Sequence, residues 1–321
     1  MNVLLMYYGT PYDEGELADY YTDIRHGHTP PPALLEELRE RYRRIGKSPL
    51  NEITFSLARK LEGELNRRLP RFARGLGAAP EPRDPRGDAR VYVGAKHNAP
   101  YIAGAVRQMA EEGVDRAVAV VAAPHYSLRS IAEYRERVDL ALDELGEPFT
   151  VRFVEEYYAH PGYVAAVAER VNRALWRIRD PEQAVVYFTA HSIPLRSVEA
   201  DGGVYPDQVE ATARAVARRL GLPRWRVAWQ SAGRTDEAWL GPDINDALRE
   251  DAAAGLREAV VAAVGFPADH LEVFYDLDYE AQQTAAELGV HLVRAESLND
   301  ADDYVAVLAD LVERAWFEGS P

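Results

Sequence analysis

Short apolar runs recur along the chain, and most of them are continuous rather than alternating between apolar and polar positions. Continuous runs rich in Val, Ala and aromatic residues are typical of parallel strands that are covered on both faces. Eight runs predict strands, at residues 3–8, 89–94, 117–123, 149–154, 184–189, 226–230, 259–264 and 290–293.

Between these runs the apolar residues repeat with the period of amphipathic helices. Ten segments predict helices, at residues 13–24, 31–45, 50–68, 98–112, 127–144, 161–177, 205–220, 242–254, 269–287 and 301–316. Strands that alternate with helices in this way indicate a doubly wound α/β fold with parallel sheets.

The alternating pattern restarts near the middle of the chain, at residues 158–184. A length of 321 residues also exceeds that of one ordinary domain. We therefore predict two similar α/β halves. The first domain spans residues 1–157 together with a returning C-terminal helix at about 300–321, and the second spans 158–299. Residues 70–88, rich in Pro and Gly, predict a surface loop.

The composition limits the compartment and the chemistry. No run approaches the ~20 apolar residues that cross a bilayer, and the first residues predict a strand rather than a signal peptide. We therefore expect a cytoplasmic protein that does not bind membranes. The chain has no cysteine, which excludes disulfides, thiolate zinc sites and a Cys-ligated iron–sulfur cluster.

The charge is acidic overall but includes a basic stretch. A net charge of −15, from 37 basic and 52 acidic residues, argues against a general nucleic-acid binder. Residues 25–47 nevertheless carry six basic side chains, namely Arg25, Arg39, Arg41, Arg43, Arg44 and Lys47. This basic island can receive a small anion, although charge alone is explained as well by a solvated helix face with Glu–Arg pairs.

Three carboxylates are spaced four residues apart after the seventh predicted strand. Glu272, Asp276 and Glu280 stack on one face of a helix, where like charges repel and folding alone gives no reason for them. Such a row can bind a cation or pass protons along. Asp269, just before the row, is expected to cap the helix.

Polar side chains follow several of the predicted strands directly. His191 ends the fifth strand, Lys96 follows the second, and Gln230 with Ser231 ends the sixth. Ligands in open α/β sheets bind beyond the carboxyl ends of the strands, so one crevice would gather these residues and the acidic helix. A histidine at a strand end is, in isolation, most simply a structural residue.

Taken together, the motifs at these places resemble those of the ferrochelatases, most of all the bacterial branch that metallates coproporphyrin III. The segments that carry the resemblance are YGTPY (8–12), YYTDIR (20–25), RY (41–42) with SPL (48–50), GAKH (94–97), APHYS (123–127), AHSIP (190–194), YPDQ (205–208), WQS (229–231), WLGPD (239–243) and VGFPADHLEVFYD (264–276). The resemblance covers nearly the whole chain. It implies two Rossmann-like domains with four-stranded parallel sheets, a porphyrin cleft between them, and a lyase that inserts Fe²⁺ into a porphyrin in haem biosynthesis.

The resemblance also implies roles for individual residues. His191 and Glu272 are the expected catalytic pair. The residues expected to contact the metal are His191, Glu272, Asp276, Glu280 and Tyr8. Asp276 and Glu280 continue the acidic line on a helix that is often π-distorted in this family, and Tyr8 lies on the opposite face of the porphyrin. The residues expected to contact the porphyrin or its propionates are Tyr8, Arg25, Arg41, Tyr42, Ser48, Tyr126 and Lys96. Because Tyr7 stands beside Tyr8, the motif leaves open which of the two faces the iron.

The substrate implied is coproporphyrin III, which yields coproheme and two protons without an organic cofactor or an iron–sulfur cluster. Ferrochelatases of protoporphyrin IX carry an apolar lip, whereas the corresponding residues 29–44 are basic and polar here. Three alternatives remain: a protoporphyrin IX ferrochelatase, a cobalt or nickel chelatase with two histidines at the metal, and a non-catalytic tetrapyrrole carrier. The expected partners are coproporphyrin III, Fe²⁺ and, in transient contact, the next enzyme of the haem pathway, with no nucleic acid and no membrane. We expect a monomer.

Overall fold

The computed structural model describes residues 1–75, 89–233 and 235–318 and contains two parallel four-stranded sheets. The first sheet consists of β1 (Asn2–Tyr7), β2 (Arg90–Ala95), β3 (Arg116–Val121) and β4 (Thr150–Val154). The second consists of β5 (Val185–His191), β6 (Trp225–Gln230), β7 (Glu258–Ala262) and β8 (His291–Arg294). All eight predicted strands are present, and the two-domain α/β architecture with four-stranded parallel sheets is confirmed.

Helices fill the connections between the strands. They are α1 (Leu17–Ile24), α2 (Pro32–Ile45), α3 (Leu50–Gly75), α4 (Ile102–Glu111), α5 (Ile131–Glu144), α6 (Pro161–Leu175), α7 (Leu195–Ala200), α8 (Val204–Leu220), α9 (Ile244–Ala253), a π helix (Val273–Glu280), α10 (Ala281–Glu287) and α11 (Asp302–Phe317). A short 3₁₀ turn, Glu14–Glu16, precedes α1. Every predicted helix is present, and α7 is an addition that the pattern did not predict.

Burial on both faces explains the continuous apolar runs. In β1, Val3 and Leu5 point into the core that includes side chains of α3 and α11, while Leu4 and Met6 point into the core beneath α4 and α5. All four side chains are completely buried. A strand between two helical layers has no polar face, and its sequence therefore lacks the alternation of a half-exposed strand.

Both sheets have the same strand order, β2-β1-β3-β4 in the first and β6-β5-β7-β8 in the second. In each sheet the first strand of the chain lies second in the row, and the next strand lies beside it at one edge. The chain then crosses over and adds its last two strands on the other side. The carboxyl ends of β1 and β3, and of β5 and β7, therefore lie at points where the winding direction changes. Ligands of doubly wound folds bind at such points.

The two halves share a continuous apolar core. Val3 and Leu5 of the first sheet belong to the same cluster as Val186 and Phe188 of the second. Helix α11 lies against α3, β3 and β4 and also against α6. The strands of the two sheets fall within 1–157 and 158–299, but the domain boundaries themselves stay a prediction.

Helix α3 extends to Gly75, seven residues past its predicted end. It therefore takes up the first part of the segment that was predicted to be a loop, and residues 76–88 of that segment lie outside the described residues. Within the described parts of the chain, no helix is both long and apolar enough to cross a membrane.

Candidate active site

The carboxylate of Glu272 lies between two imidazole rings. Its Oε2 atom is 3.7 Å from Nε2 of His191 and also 3.7 Å from Nε2 of His270. His191 ends β5, and the other two residues stand between β7 and the π helix. Because β5 and β7 are neighbouring strands, the fold brings the predicted pair together and adds a second histidine.

Each histidine is held by a backbone carbonyl on the far side of its ring. Nδ1 of His191 contacts the carbonyl oxygen of Ser192, and Nδ1 of His270 lies 3.0 Å from that of Ala268. A carbonyl oxygen only accepts, so Nδ1 carries the proton in both rings. The two Nε2 atoms that face Glu272 are therefore left to accept a proton or to bind a metal ion.

Glu272 and Asp276 differ sharply in proton affinity. Burial alone would raise the pKa of Glu272, but His191 and His270 outweigh that effect and lower it to about 2. Burial, followed by the negative charge of Glu272, raises the pKa of Asp276 from 3.8 to about 6. Two nearby carboxylates separate in this way because their double ionisation is disfavoured. The site thus holds one permanent carboxylate and one that accepts a proton near neutral pH.

The end of β6 supplies the hydrogen-bond partners of Asp276. The hydroxyl of Ser231 donates to Oδ2 of Asp276, and Nε2 of Gln230 lies 3.4 Å from the same oxygen. The side chain of Gln230 is completely buried and that of Asp276 nearly so. Gln230 and Ser231, which the pattern placed at the crevice, therefore do lie there.

The row of carboxylates runs along the π helix. Glu272 immediately precedes this helix, and Asp276 and Glu280 lie within it. Among the described residues, no three His, Asp or Glu side chains are grouped closely enough to hold a metal ion together. The residues expected to contact the metal therefore do not form one closed site. His191 faces Glu272, and the other two carboxylates extend away along the helix.

Of the two adjacent tyrosines, Tyr8 is the accessible one. Tyr7 is 2% exposed, and its hydroxyl donates to Oδ1 of Asn51 at 3.0 Å, whereas Tyr8 is 38% exposed. Burial against the walls of the cleft raises the pKa of Tyr8, and the negative charge of Glu272 adds to this effect. Tyr8 is therefore both partly accessible and close enough to Glu272 to be affected by its charge.

Behind Tyr8 lies a group of paired charges. The ammonium of Lys96, which was expected to contact the porphyrin, is bound to the carboxylate of Glu133, and the residue is 3% exposed. Nδ1 of His97 lies 2.6 Å from Oδ2 of Asp23, and the His97 ring meets that of Tyr8 edge-on at 4.6 Å. Burial lowers the pKa of Lys96 and lowers that of His97 to about 4. A direct contact between Lys96 and the porphyrin stays a prediction.

Helix α2 connects the basic island to the π helix. The guanidinium of Arg41 lies 4.7 Å from the ring of Tyr275, and one of its nitrogens is 3.1 Å from Glu37. Against the opposing effect of burial, Asp276 and the carboxylates of Glu37 and Glu280 raise the pKa of Arg41. Arg41 therefore stands beside the acidic row rather than in open solvent.

The other residues expected at the cleft occupy different surroundings. The hydroxyl of Tyr42 lies 2.8 Å from that of Thr10, which ties α2 to the loop after β1. Burial raises the pKa of Tyr42 to about 12. Ser48 is 1% exposed, and within the described residues its hydroxyl has no hydrogen-bond partner. The backbone N–H of Tyr126 donates to Oε1 of Gln208 at 2.7 Å, at a junction between the two halves.

Two details of the acidic segment differ from the sequence analysis. His270 was not recognised, because a residue two positions before Glu272 falls outside the four-residue spacing of the carboxylates at Glu272, Asp276 and Glu280. The interpretation of Asp269 as a helix cap is wrong. Its carboxylate instead accepts hydrogen bonds from Ser297 at 2.7 Å and Asn299 at 2.9 Å, and it pairs with Arg294.

Comparisons with known proteins agree with this arrangement. The family model for ferrochelatase matches residues 1–316. The chain is 60% identical over 316 residues to a ferrochelatase of Thermus thermophilus, covering 98% of this chain and 99% of that protein. It is 41% identical over 321 residues to a coproporphyrin III ferrochelatase of Geobacillus kaustophilus, covering 98% of this chain and 96% of that protein.

Among solved structures, the chain is similar to the sirohydrochlorin chelatase SirB of Bacillus subtilis subspecies spizizenii in complex with cobalt. The TM-score is 0.55 at 11% identity, and the match covers 98% of this chain and 94% of that one. At such low identity the likeness shows the fold alone, which is the two-domain α/β architecture of chelatases.

Proposed function

The chain belongs to the ferrochelatase family and is a lyase that inserts a metal ion into a porphyrin, and on this premise we propose that its substrates are Fe²⁺ and coproporphyrin III. The product would be coproheme, an intermediate of haem biosynthesis. The relative of 41% identity is named for coproporphyrin III, whereas the relative of 60% identity is named only as a ferrochelatase. The preference between porphyrins therefore has to be argued from the charges at the cleft.

The observation that carries the proposal is that Arg25, at the end of α1, lacks a carboxylate partner for its charge within the described residues. Among the described residues its guanidinium forms no ion pair with a carboxylate, and its Nε is buried without a hydrogen-bond partner. The other basic side chains of the island are all paired, as Arg39 and Arg43 with Glu14 and Glu36, Arg41 with Glu37, Arg44 with Glu40, and Lys47 with Glu52.

The pairing shows that most of the basic island is neutralised, as the charge pattern alone suggested, but Arg25 is not. An unpaired guanidinium binds a carboxylate through charge-assisted hydrogen bonds. Coproporphyrin III carries four propionates, more than protoporphyrin IX, so it offers more partners to Arg25 and to the hydroxyl of Ser48, which lacks a hydrogen-bond partner within the described part of the chain. Arg41, Tyr42, Tyr126 and Lys96 complete the proposed porphyrin contacts.

His191 is the proposed general base. Insertion of Fe²⁺ replaces two pyrrole N–H protons, and the reaction balances when both protons leave with the solvent. Nε2 of His191 has a free electron pair because Nδ1 donates to a carbonyl, so it can accept these protons in turn. A positioned base of this kind typically contributes ~10²–10⁴-fold to the rate.

Glu272 is the proposed metal partner of His191. Its low pKa keeps it ionised at neutral pH, and imidazole with carboxylate suits Fe²⁺ in the absence of thiolates. Nε2 of His191 has one electron pair, so it would hold Fe²⁺ with Glu272 first and accept the pyrrole protons after the metal has passed to the porphyrin. Two protein ligands leave coordination positions open, which fits a metal that is handed to the porphyrin rather than stored. The proposal requires no organic cofactor.

Asp276 and Glu280 are proposed to continue this path along the π helix. The raised pKa of Asp276, about 6, allows it to gain and lose a proton near neutral pH. The row can therefore carry protons away from His191 or lead hydrated metal toward it. Tyr8, on the opposite wall, is proposed to face the other side of the macrocycle and to approach the iron of the product.

The test is anaerobic Fe²⁺ insertion, followed by porphyrin absorbance, with coproporphyrin III and protoporphyrin IX at matched concentrations. Arg25→Ala is measured beside the wild type, with Arg39→Ala as the control because Arg39 is already paired with glutamates. We expect strong preference for coproporphyrin III, and we expect Arg25→Ala to raise KM for that substrate about 10-fold, as Arg39→Ala does not.

Turnover of protoporphyrin IX alone would retain the ferrochelatase and overturn the substrate. An equal KM for both variants would remove Arg25 from propionate binding. Tight porphyrin binding without insertion of Fe²⁺ would favour a tetrapyrrole carrier.

A further inference from the structure

The buried side chain of Asn51 makes three hydrogen bonds to the segment that leaves β1. Its Oδ1 accepts from the hydroxyl of Tyr7 at 3.0 Å and from the backbone N–H of Thr10 at 3.2 Å, and its Nδ2 donates to the carbonyl of Thr10 at 2.8 Å. Asn51 is 1% exposed and stands in the first turn of α3. Removing this carboxamide would leave the buried hydroxyl of Tyr7 and the N–H of Thr10 without their partner, which is costly. The carbonyl of Thr10 would still accept from Nδ2 of Asn98 at 2.8 Å.

The residues between these two anchors are Tyr8 and Gly9. The backbone at Gly9 has φ +87°, and a Cβ there would lie 3.0 Å from Cβ of Ala95. This tight turn, held on both sides by Asn51, leaves little freedom for the direction of the Tyr8 side chain. The hydroxyl of Thr10 extends the connection to Tyr42 of α2 at 2.8 Å.

Helix α3 carries a second asparagine with the same bonding pattern. Oδ1 of Asn66 accepts from the backbone N–H of Ala89 at 2.9 Å, and its Nδ2 donates to the carbonyl of the same residue at 3.1 Å. Asn66 lies ~23 Å further along the helix axis. Ala89 precedes β2, so Asn66 acts at the amino edge of the sheet, away from the cleft. Two asparagine side chains on one helix therefore bind the backbone at opposite ends of the sheet, Asn51 through three hydrogen bonds and Asn66 through two.

We infer that Asn51 is a positioning residue for metal insertion, acting through Tyr7 and Thr10 to direct Tyr8 toward the porphyrin. Asn51 has no contact with the cleft itself. Its carboxamide replaces the water that would otherwise solvate the start of the loop, and it fixes the loop against α3. The inference depends on metal insertion into a porphyrin and not on which porphyrin is used.

The test compares Asn51→Ala with Asn66→Ala at a temperature where circular dichroism shows both variants fully folded. Asn51→Ala removes three buried hydrogen bonds and Asn66→Ala removes two part-buried ones, so we expect the melting temperature to fall in both variants and further in Asn51→Ala. Only Asn51→Ala should lower kcat/KM for metal insertion, by ~10–100-fold, because a misplaced contact of about 1 Å has effects of this size. Only Asn51→Ala should shift the Soret band of the bound porphyrin.

A second variant keeps the test decisive if Asn51→Ala does not fold. Tyr7→Phe removes one of the three hydrogen bonds and retains the buried ring, and we expect a ~3-fold loss in kcat/KM. The double variant Tyr7→Phe/Asn51→Ala should be no worse than Asn51→Ala alone, since both changes act through one contact.

Wild-type turnover and an unchanged Soret band in the folded Asn51→Ala or Tyr7→Phe variant would overturn the inference. So would equal losses in Asn51→Ala and Asn66→Ala, because they would show a general effect of stability. The porphyrin used is whichever the wild type metallates, so a failure of the coproporphyrin proposal leaves this comparison interpretable.

Discussion

The two halves of the molecule have one strand order but treat charge differently at equivalent places. In the first half, polar side chains after β2 are neutralised within the protein. Lys96 is bound to Glu133, and His97 lies 2.6 Å from Asp23. These groups are buried behind the cleft wall, and each charge has a partner.

In the second half, the corresponding edge of the sheet carries charge without such neutralisation. Among the described residues, Glu272 has no Arg or Lys partner and is 3.7 Å from the imidazoles of His191 and His270. Within the described parts of the chain, Asp276 is buried with Ser231 and Gln230 as its hydrogen-bond donors. Burial raises its pKa, and Arg41 is the cation that lowers it, without forming an ion pair with Asp276 in this part of the chain. Breaking a buried ion pair is costly, whereas carboxylates and imidazoles without a fixed counter-ion are candidates for exchanging protons and metal. We call the wall of paired charges the structural wall and the wall around Glu272, to which the proposed chemistry is assigned, the reactive wall.

The largest expected effect concerns the reactive wall. We expect His191→Ala to lower kcat for Fe²⁺ insertion by ~10³-fold, since it removes the proposed base, while porphyrin still binds. Stopped-flow absorbance and porphyrin titration measure the two steps separately. His291→Ala is the control because its side chain is half exposed at the start of β8. Near-normal turnover of His191→Ala would contradict the assignment of the chemistry to this wall.

The second effect is a pH dependence of stability that comes from Asp276. Its pKa is about 6 in the folded chain against an ordinary value of 3.8. Between these pH values the folded chain binds more protons than the unfolded chain, so this group makes stability fall as pH rises. Asp276→Asn removes the effect, and the variant should gain up to about 3 kcal/mol over the wild type between about pH 4 and pH 7.

Urea unfolding of the metal-free protein across that range measures this difference. Ser231→Ala sharpens the test, because the Ser231 hydroxyl lowers the pKa of Asp276 and its removal should enlarge the loss of stability with rising pH. The free energies of unfolding of Asp276→Asn and the wild type could instead differ by the same amount at every pH. That result would contradict an unneutralised charge at this wall.

The third effect concerns the structural wall. Glu133→Gln leaves the ammonium of Lys96 buried without its counter-ion, and we expect a loss of about 2–3 kcal/mol in the free energy of unfolding. Glu136→Gln, on the exposed face of the same helix, should change it by less than ~0.5 kcal/mol. Denaturant unfolding gives both values. A loss of turnover in folded Glu133→Gln as large as that of His191→Ala would place Lys96 in the chemistry.

The smallest effect distinguishes two neighbouring arginines of α2. Arg41 and Arg44 each pair with the glutamate four residues earlier and lie over a tyrosine of the π helix, at 4.7 Å and 4.4 Å. Asp276 and Glu280 raise the pKa of Arg41 against the opposing effect of burial. We expect Arg41→Ala to raise KM for the porphyrin ~3–10-fold with a smaller change in kcat, and Arg44→Ala to leave KM unchanged. Equal values of KM for the two variants would remove Arg41 from the cleft.

Much of the fold could be read from periodicity because burial on both faces leaves a strong signal in each strand. Residues such as Val3 and Leu4 show it, since opposite faces of β1 enter different cores. That His191 and Glu272 would lie close together was also expected, because both follow the carboxyl ends of predicted strands. The partners of Asp269 were not, because the loop at Ser297–Asn299 approaches from a distant part of the chain.

The sequence by itself determined the strand–helix alternation, the acidic row and the family, because all three depend on local spacing and residue type. The tertiary structure decided which tyrosine is accessible, since Tyr7 is 2% exposed and bonded to Asn51 whereas Tyr8 is 38% exposed. It also decided that His270 faces Glu272 and that Lys96 is neutralised by Glu133. Distances between residues far apart in the chain set hydrogen bonding and burial, and these in turn set the proton affinities on which the proposed chemistry depends.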